Sequence, residues 1–255
     1  MTSSHHFTKS ISKKIDKSSS EYKHSDSKDF QRDKFDVLVD LVLRNNNVVR
    51  EERNTSHKPL DLLILLILNQ STTDLLADRA FADLMRAYKS YEEILKENDL
   101  KKLTSSIKIC GLAPTKAQYI LNTLHYLKEN NWLDLELKFI KRMTDQEAIK
   151  AITAIKGVGV KSASCLLMFS FQRGTFPIDT HLYRVFKRIG GIFPENTSPE
   201  QAHKLIQPRI DGSNSFKVHV SLIEHGRKVC TAPKKPKCGE CYIQPICDYY
   251  QDNLE

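Results

Sequence analysis

The chain has 255 residues, 40% of them hydrophobic, with a formal net charge of +8 and a pI near 9.1. That length and apolar content suit one large globular domain or two modest ones with a sizeable core, and exclude a wholly disordered chain. No apolar run approaches the roughly twenty residues that cross a bilayer, the longest being Leu62 to Leu68, and no apolar leader opens the chain, so the expectation is an intracellular protein with no membrane contact.

In chain order, residues 1–29 come first, a polar tail rich in Ser, Lys and His that cannot offset its ordering entropy and reads as disordered. Residues 1–34 hold eight Lys/Arg against five Asp/Glu, so most of the basic excess belongs to the rest of the chain. An excess of that sign suits a polyanionic partner, because Lys and Arg gain affinity by displacing counterions from phosphates.

From Phe35 to Leu43 the apolar residues follow a helical period. After Pro59 the run from Leu60 to Leu68 is apolar all round, which predicts a buried central helix. It ends in Asn69-Gln70-Ser71-Thr72-Thr73-Asp74, polar side chains set at the end of a core helix. Ser90 with Glu93 and Thr144 with Glu147 have the spacing of capping boxes, and Ser198-Pro199-Glu200-Gln201 adds a proline at a first helical position. Gly111 stops the helix that holds Leu100, Leu103 and Ile107, and a new one is expected from about Pro114 or Thr115 to Glu129. No alternating strand-type run stands out, so the fold class is all-α.

Gly157 and Gly159 lie between two apolar helical runs and read as a tight helix-to-helix turn whose exposed amides suit a phosphate. Lys161 follows in the first turn of the next helix, and Asp179 stands before Thr180-His181-Leu182 where an N-cap would be. Of six cysteines, Cys110 and Cys165 sit in apolar helical patterns as core residues, while Cys230, Cys238, Cys241 and Cys247 read Cys-x7-Cys-x2-Cys-x5-Cys. Four thiolates so close in sequence suit one tetrahedral zinc or one cubane cluster.

The Gly-Val-Gly-x-Lys-Ser-Ala hairpin, the Ile-Asp-Thr-His that follows and the four terminal cysteines together resemble the endonuclease III family of helix-hairpin-helix DNA glycosylases, over about Phe35 to Cys247. The resemblance implies a six-helix barrel domain bearing the hairpin at 54–173. It implies a discontinuous helical iron–sulfur domain made of the N-terminal helix at 30–53 and residues 174–255, with DNA in the cleft between the two. The implied activity is that of a bifunctional glycosylase and abasic-site lyase of base excision repair, which removes a damaged, oxidised pyrimidine from duplex DNA and nicks the strand by β-elimination. Lys161 matches the family's Schiff-base lysine and Asp179 its aspartate. Gln70 matches a residue that fills the space left by the flipped base, Leu112 a wedge that inserts on the opposite strand, and Gly157 and Gly159 the phosphate-holding hairpin. Cys230, Cys238, Cys241 and Cys247 match the ligands of a 4Fe-4S cluster, although the family's first interval is one residue shorter. Lys234, Lys235 and Lys237 fall in its DNA-contacting cluster loop. A monomer is the default, in cytoplasm or nucleoid, or in the nucleus of a eukaryote. Other bases stay open at this point, namely 8-oxoguanine, mismatched thymine and 5-methylcytosine. So does another class, a non-catalytic DNA-structure-binding protein with a metal site made of the four cysteines.

Overall fold

In the computed structural model, which describes residues 33–45 and 57–253, every regular element is a helix. The tail at 1–29, with residues 30–32 and 46–56, lies outside the described residues. The helices build two apolar cores. The first forms around α2 (Pro59–Leu68), whose Leu60, Leu62, Leu63, Ile64, Ile67 and Leu68 are all buried. A helix apolar on every side must be surrounded, and α3 (Asp74–Ala87), α6 (Ala113–Glu129) and α8 (Val160–Phe171) enclose it. The shorter α4 (Tyr91–Glu97), α5 (Leu100–Ser106) and α7 (Asp145–Thr153) complete this core.

The second core joins the two ends of the chain. Phe35, Leu38 and Val42 of α1 (Lys34–Arg44) are buried with Leu182, Val185, Phe186 and Ile189 of α9 (Thr180–Ile189), and with residues of α10 (Pro199–Ile206) and α11 (Gly212–Lys228). Phe35 meets Phe186 edge to face at 6.1 Å. Lys34 pairs with Asp248 at the start of α12 (Asp248–Asp252), so the first and last of the described helices are also tied by charge.

Local sequence chemistry sets most helix starts. Both halves of the capping box form at Thr144 with Glu147 and at Ser198 with Gln201. At Ser90 only one half forms: its hydroxyl accepts from the Glu93 amide, while the Glu93 carboxylate takes the Lys89 N–H at 2.5 Å. Helix α6 starts at Ala113, slightly ahead of the expected Pro114 or Thr115, because Gly111 (φ 69°) and Leu112 (φ 50°) together make the turn. The described residues contain no helix long and apolar enough to cross a membrane.

Between the cores the chain runs from α8 to α9 as an extended connector fixed by side chains from both sides. Gln207 accepts from the Phe176 amide at 2.7 Å and donates to the Gly174 carbonyl at 3.0 Å. His203 accepts from the Ile178 amide at 3.2 Å, and the Thr175 hydroxyl bonds the Ser164 carbonyl of α8 at 2.8 Å. Gly174 passes so close to Gly212 that a Cβ there would stand 2.5 Å from its Cα. The connector therefore has little freedom, and it ends at Asp179.

Candidate functional site

The hairpin between α7 and α8 needs its first glycine twice over. Gly157 has φ +101°, a conformation side chains resist, and a Cβ there would lie 2.2 Å from the Tyr119 ring of α6. Gly159 caps α8 without a side chain, is exposed, and has nothing within 4 Å of an added Cβ. The leading amides of α8 thus have no capping side chain at an open helix start, which is the arrangement that accepts an anion.

Lys161 occupies the first turn of that helix. Asp179 caps α9, one carboxylate oxygen accepting from the His181 amide at 2.9 Å and the Leu182 amide at 2.8 Å. Both residues are half-buried, and both act on the same two buried groups. Burial raises the Cys165 thiol, with Lys161 lowering it and Asp179 raising it. Burial pushes the His219 imidazole down to about 4, against an upward pull from Asp179 and with a further downward push from Lys161. The amine and the carboxylate are therefore both near enough to Cys165 and His219 to influence their charge. His219 Nδ1 is buried without a hydrogen-bond partner, between the rings of Phe169 and Phe176.

The polar end of α2 meets the same mouth. The Gln70 side-chain amide donates to the Gly157 carbonyl at 2.9 Å. Asn69 bonds one oxygen of Asp74 at 2.9 Å, and Arg227 of α11 pairs with the other at 3.0 Å, a link between the two halves. His181, on the α9 side, feels both Arg227 and Asp74; burial is the main cause of its lowered pKa. Leu112 stands apart from this hydrogen-bonded group, its side chain 62% exposed on the Gly111–Leu112 turn.

Cys230, Cys238, Cys241 and Cys247 line one pocket of about 300 Å³, counting its open mouth, together with Arg188 and Tyr249. Arg188 donates to the Cys230 sulfur at 3.2 Å and lies over the Tyr249 ring. His225 sits 3.4 Å from the Cys241 sulfur, and the Cys247 thiol faces the Arg188 carbonyl at 3.4 Å. Burial pushes the Cys241 thiol up to about 11, and the neighbouring sulfurs add to the rise. Four sulfurs so placed could hold a cationic centre, which would draw off their protons on binding. Among the described residues no three His, Cys, Asp or Glu side chains are arranged to hold a single ion. Lys234, Lys235 and Lys237 are exposed on the loop after Cys230, with Lys237 at 3.9 Å from Glu240.

Of the residues singled out in the sequence, Gln70 is bonded to Gly157 of the hairpin that precedes Lys161, while Leu112 stands apart; the residues packed behind them carry no sequence signal. Gln207, His203, His219, Tyr119, Arg188 and His225 stand in no motif, and a lone buried polar residue leaves no mark in a helical pattern.

A model of the HhH-GPD superfamily of base excision DNA repair proteins matches residues 64–209. Endonuclease III of Sulfolobus acidocaldarius is 32% identical over 196 residues, covering 76% of this chain and 83% of that protein. The structure of a trapped endonuclease III–DNA covalent intermediate, an estranged-adenine complex, has the same fold, with a TM-score of 0.72 at 22% identity over 88% of this chain and 100% of the other. A thermostable thymine-DNA glycosylase matches with a TM-score of 0.66 at 25% identity, over 86% of this chain and 97% of that one.

Proposed function

The chain belongs to the endonuclease III family, within the HhH-GPD superfamily of base excision DNA repair proteins, and on that footing we propose how its own residues do the work. It is a DNA glycosylase and abasic-site lyase acting on duplex DNA that holds an oxidised pyrimidine. A base inside the stack is out of reach, so the damaged nucleotide is turned out of the helix. Gln70 and the exposed Leu112 fill the gap, an apolar wedge being the usual device at a kinked step. The open start of α8, behind Gly157 and Gly159, holds a backbone phosphate. Lys234, Lys235 and Lys237 add sequence-independent contacts to the backbone.

Lys161 Nζ, as the neutral amine, attacks the anomeric carbon as the glycosidic bond breaks; the base leaves with the bonding pair and takes up the proton that the amine sheds. Asp179 faces the positive charge that develops on the sugar and stabilises it. The sugar ring then opens as the C1′–O4′ bond breaks and O4′ takes a proton, which leaves the Schiff base; loss of a proton from its adjacent carbon expels the 3′ phosphate, and hydrolysis returns the amine. The observation that carries this reading is geometric: Lys161 stands in the first turn of a helix with no capping side chain, and Asp179 caps the next helix at the end of a connector pinned by Gln207 and His203.

Cys230, Cys238, Cys241 and Cys247 would hold a four-iron, four-sulfur cluster. Their four sulfurs line one pocket, and the spacing Cys-x7-Cys-x2-Cys-x5-Cys has one short Cys-x2-Cys interval where a zinc ribbon usually shows two, which supports a cluster over a single zinc. When bound, the cluster supplies a covalent brace for residues 230–247; no step above passes through it. Iron and sulfide analysis, with absorbance at roughly 400 nm, tests this, and one zinc per chain is the opposing result.

Borohydride trapping on end-labelled duplexes tests the activity. Thymine glycol duplexes should give a covalent complex that Lys161→Ala abolishes. The likeness to a thymine-DNA glycosylase makes a thymine mismatch the second substrate to include, and trapping there but not on thymine glycol would move the assignment. Binding without trapping on any damaged or abasic duplex would leave a binding protein.

A further inference from the structure

Lys116 is buried, 1% exposed, in the first turns of α6. Its ammonium donates to two carbonyls, Leu68 at 2.8 Å and Cys110 at 2.8 Å. Leu68 is the last residue of α2, and Cys110 ends the short 3-10 turn before Gly111. Both carbonyls are orphans of a helix end, where the dipole is negative, so a buried cation is stabilised there by backbone. The Lys116 amide also bonds the Leu112 carbonyl at 3.0 Å.

Gln70 follows Leu68 by two residues, and Leu112 follows Cys110 by two. One ammonium thus joins the roots of the two loops that carry the gap-filling side chains. One turn further along α6, Tyr119 packs on Gly157 of the hairpin. We propose that Lys116 is a positioning residue that clamps the Gln70 loop to the Leu112 loop, so that both enter an opened base step as one rigid unit. This rests on the gap-filling roles assigned above to Gln70 and Leu112. Two side chains that enter one opened base step from separate loops must keep a fixed spacing, and a supporting residue locked beneath them supplies it. A lysine suits the task because its compact ammonium offers three donors on a long stem.

The test is a double-mutant cycle in the full-length protein. Affinity for a duplex with a tetrahydrofuran abasic analogue is measured for Gln70→Ala, Leu112→Ala and the pair, with Lys116 present and as Lys116→Met. With Lys116 the two losses should be non-additive by about fivefold or more; with methionine they should simply multiply. Additivity in both backgrounds, or the same coupling in both, overturns the clamp. A second readout is the ratio of trapping rates on duplex and single-stranded abasic DNA, since a single strand has no stack to penetrate. Lys116→Met should lower that ratio by about tenfold, whereas general destabilisation lowers both rates together and leaves the ratio unchanged. Should Lys116→Met not fold, Lys116→Gln, whose shorter amide does not span both carbonyls, takes its place. If the unmodified protein traps neither substrate, the lysine mechanism falls, and the binding cycle alone still decides the clamp.

Discussion

The side-chain amide of Gln70 lies 2.9 Å from the carbonyl oxygen of Gly157, a bond between residues 87 apart in the chain. It fastens the polar end of the most buried helix to the hairpin that precedes Lys161. The elements expected to enter the DNA and those expected to cut it therefore share one mechanical base, with the Tyr119 ring closing the other side of Gly157.

Gly157 and Gly159 should respond differently to the same substitution. Gly157→Ala meets both a left-handed backbone and the Tyr119 ring, and should cost roughly 2–4 kcal/mol in urea unfolding. Gly159→Ala meets nothing within 4 Å and should change stability by less than about 1 kcal/mol while weakening duplex binding. Equal destabilisation of the two would contradict the geometry.

Asp179 has two separable duties. As a cap it accepts two amide bonds, and Asn is as good a cap as Asp, so Asp179→Asn should keep stability while Asp179→Ala loses about 1 kcal/mol. Both should slow base release by about a hundredfold or more, because both remove the charge. Single-turnover base release and urea melts decide it; unchanged release by Asp179→Asn would remove the carboxylate from the chemistry.

The basic loop is expected to act through phosphates alone. Replacing Lys234 and Lys235 by alanine should weaken binding to damaged and undamaged duplexes alike. It should also flatten the salt dependence of log K by about 0.9 per lost contact. Lys237 is partly engaged by Glu240, so its loss should matter less. A selective effect on the damaged duplex would count against this role.

His219 links acid sensitivity to the site. Its imidazole titrates near 6.5 when unfolded and near 4 when folded, because it is buried, with Asp179, Lys161 and His203 as its charged neighbours. A folded pKa below the unfolded one means that the unfolded chain takes up the proton first. Its contribution is therefore intact above about pH 6.5 and is lost as pH falls towards 4, up to roughly 3 kcal/mol. Urea unfolding at steps from pH 7 to 4.5 should show that decline, and His219→Gln should flatten it.

Whatever depends on neighbours along the chain was legible in residue order. The apolar run Leu60–Leu68 dictated a buried helix, Thr144 and Ser198 dictated helix starts, and the spacing of Gly157, Gly159 and Lys161 dictated an open helix start with an amine in its first turn. Four closely spaced cysteines marked out in the same way the loop whose sulfurs line one pocket. Which distant segments meet was settled by packing in three dimensions. Helix α1 packs with α9 and α11, Gln207 and His203 pin the connector to Asp179, Arg227 reaches Asp74, and Lys116 bridges Leu68 and Cys110. Periodicity shows that a face will be buried, but not against what. An isolated buried Gln, His or Lys is legible only when the carbonyls and amides it satisfies, dozens of residues away, have been brought to it.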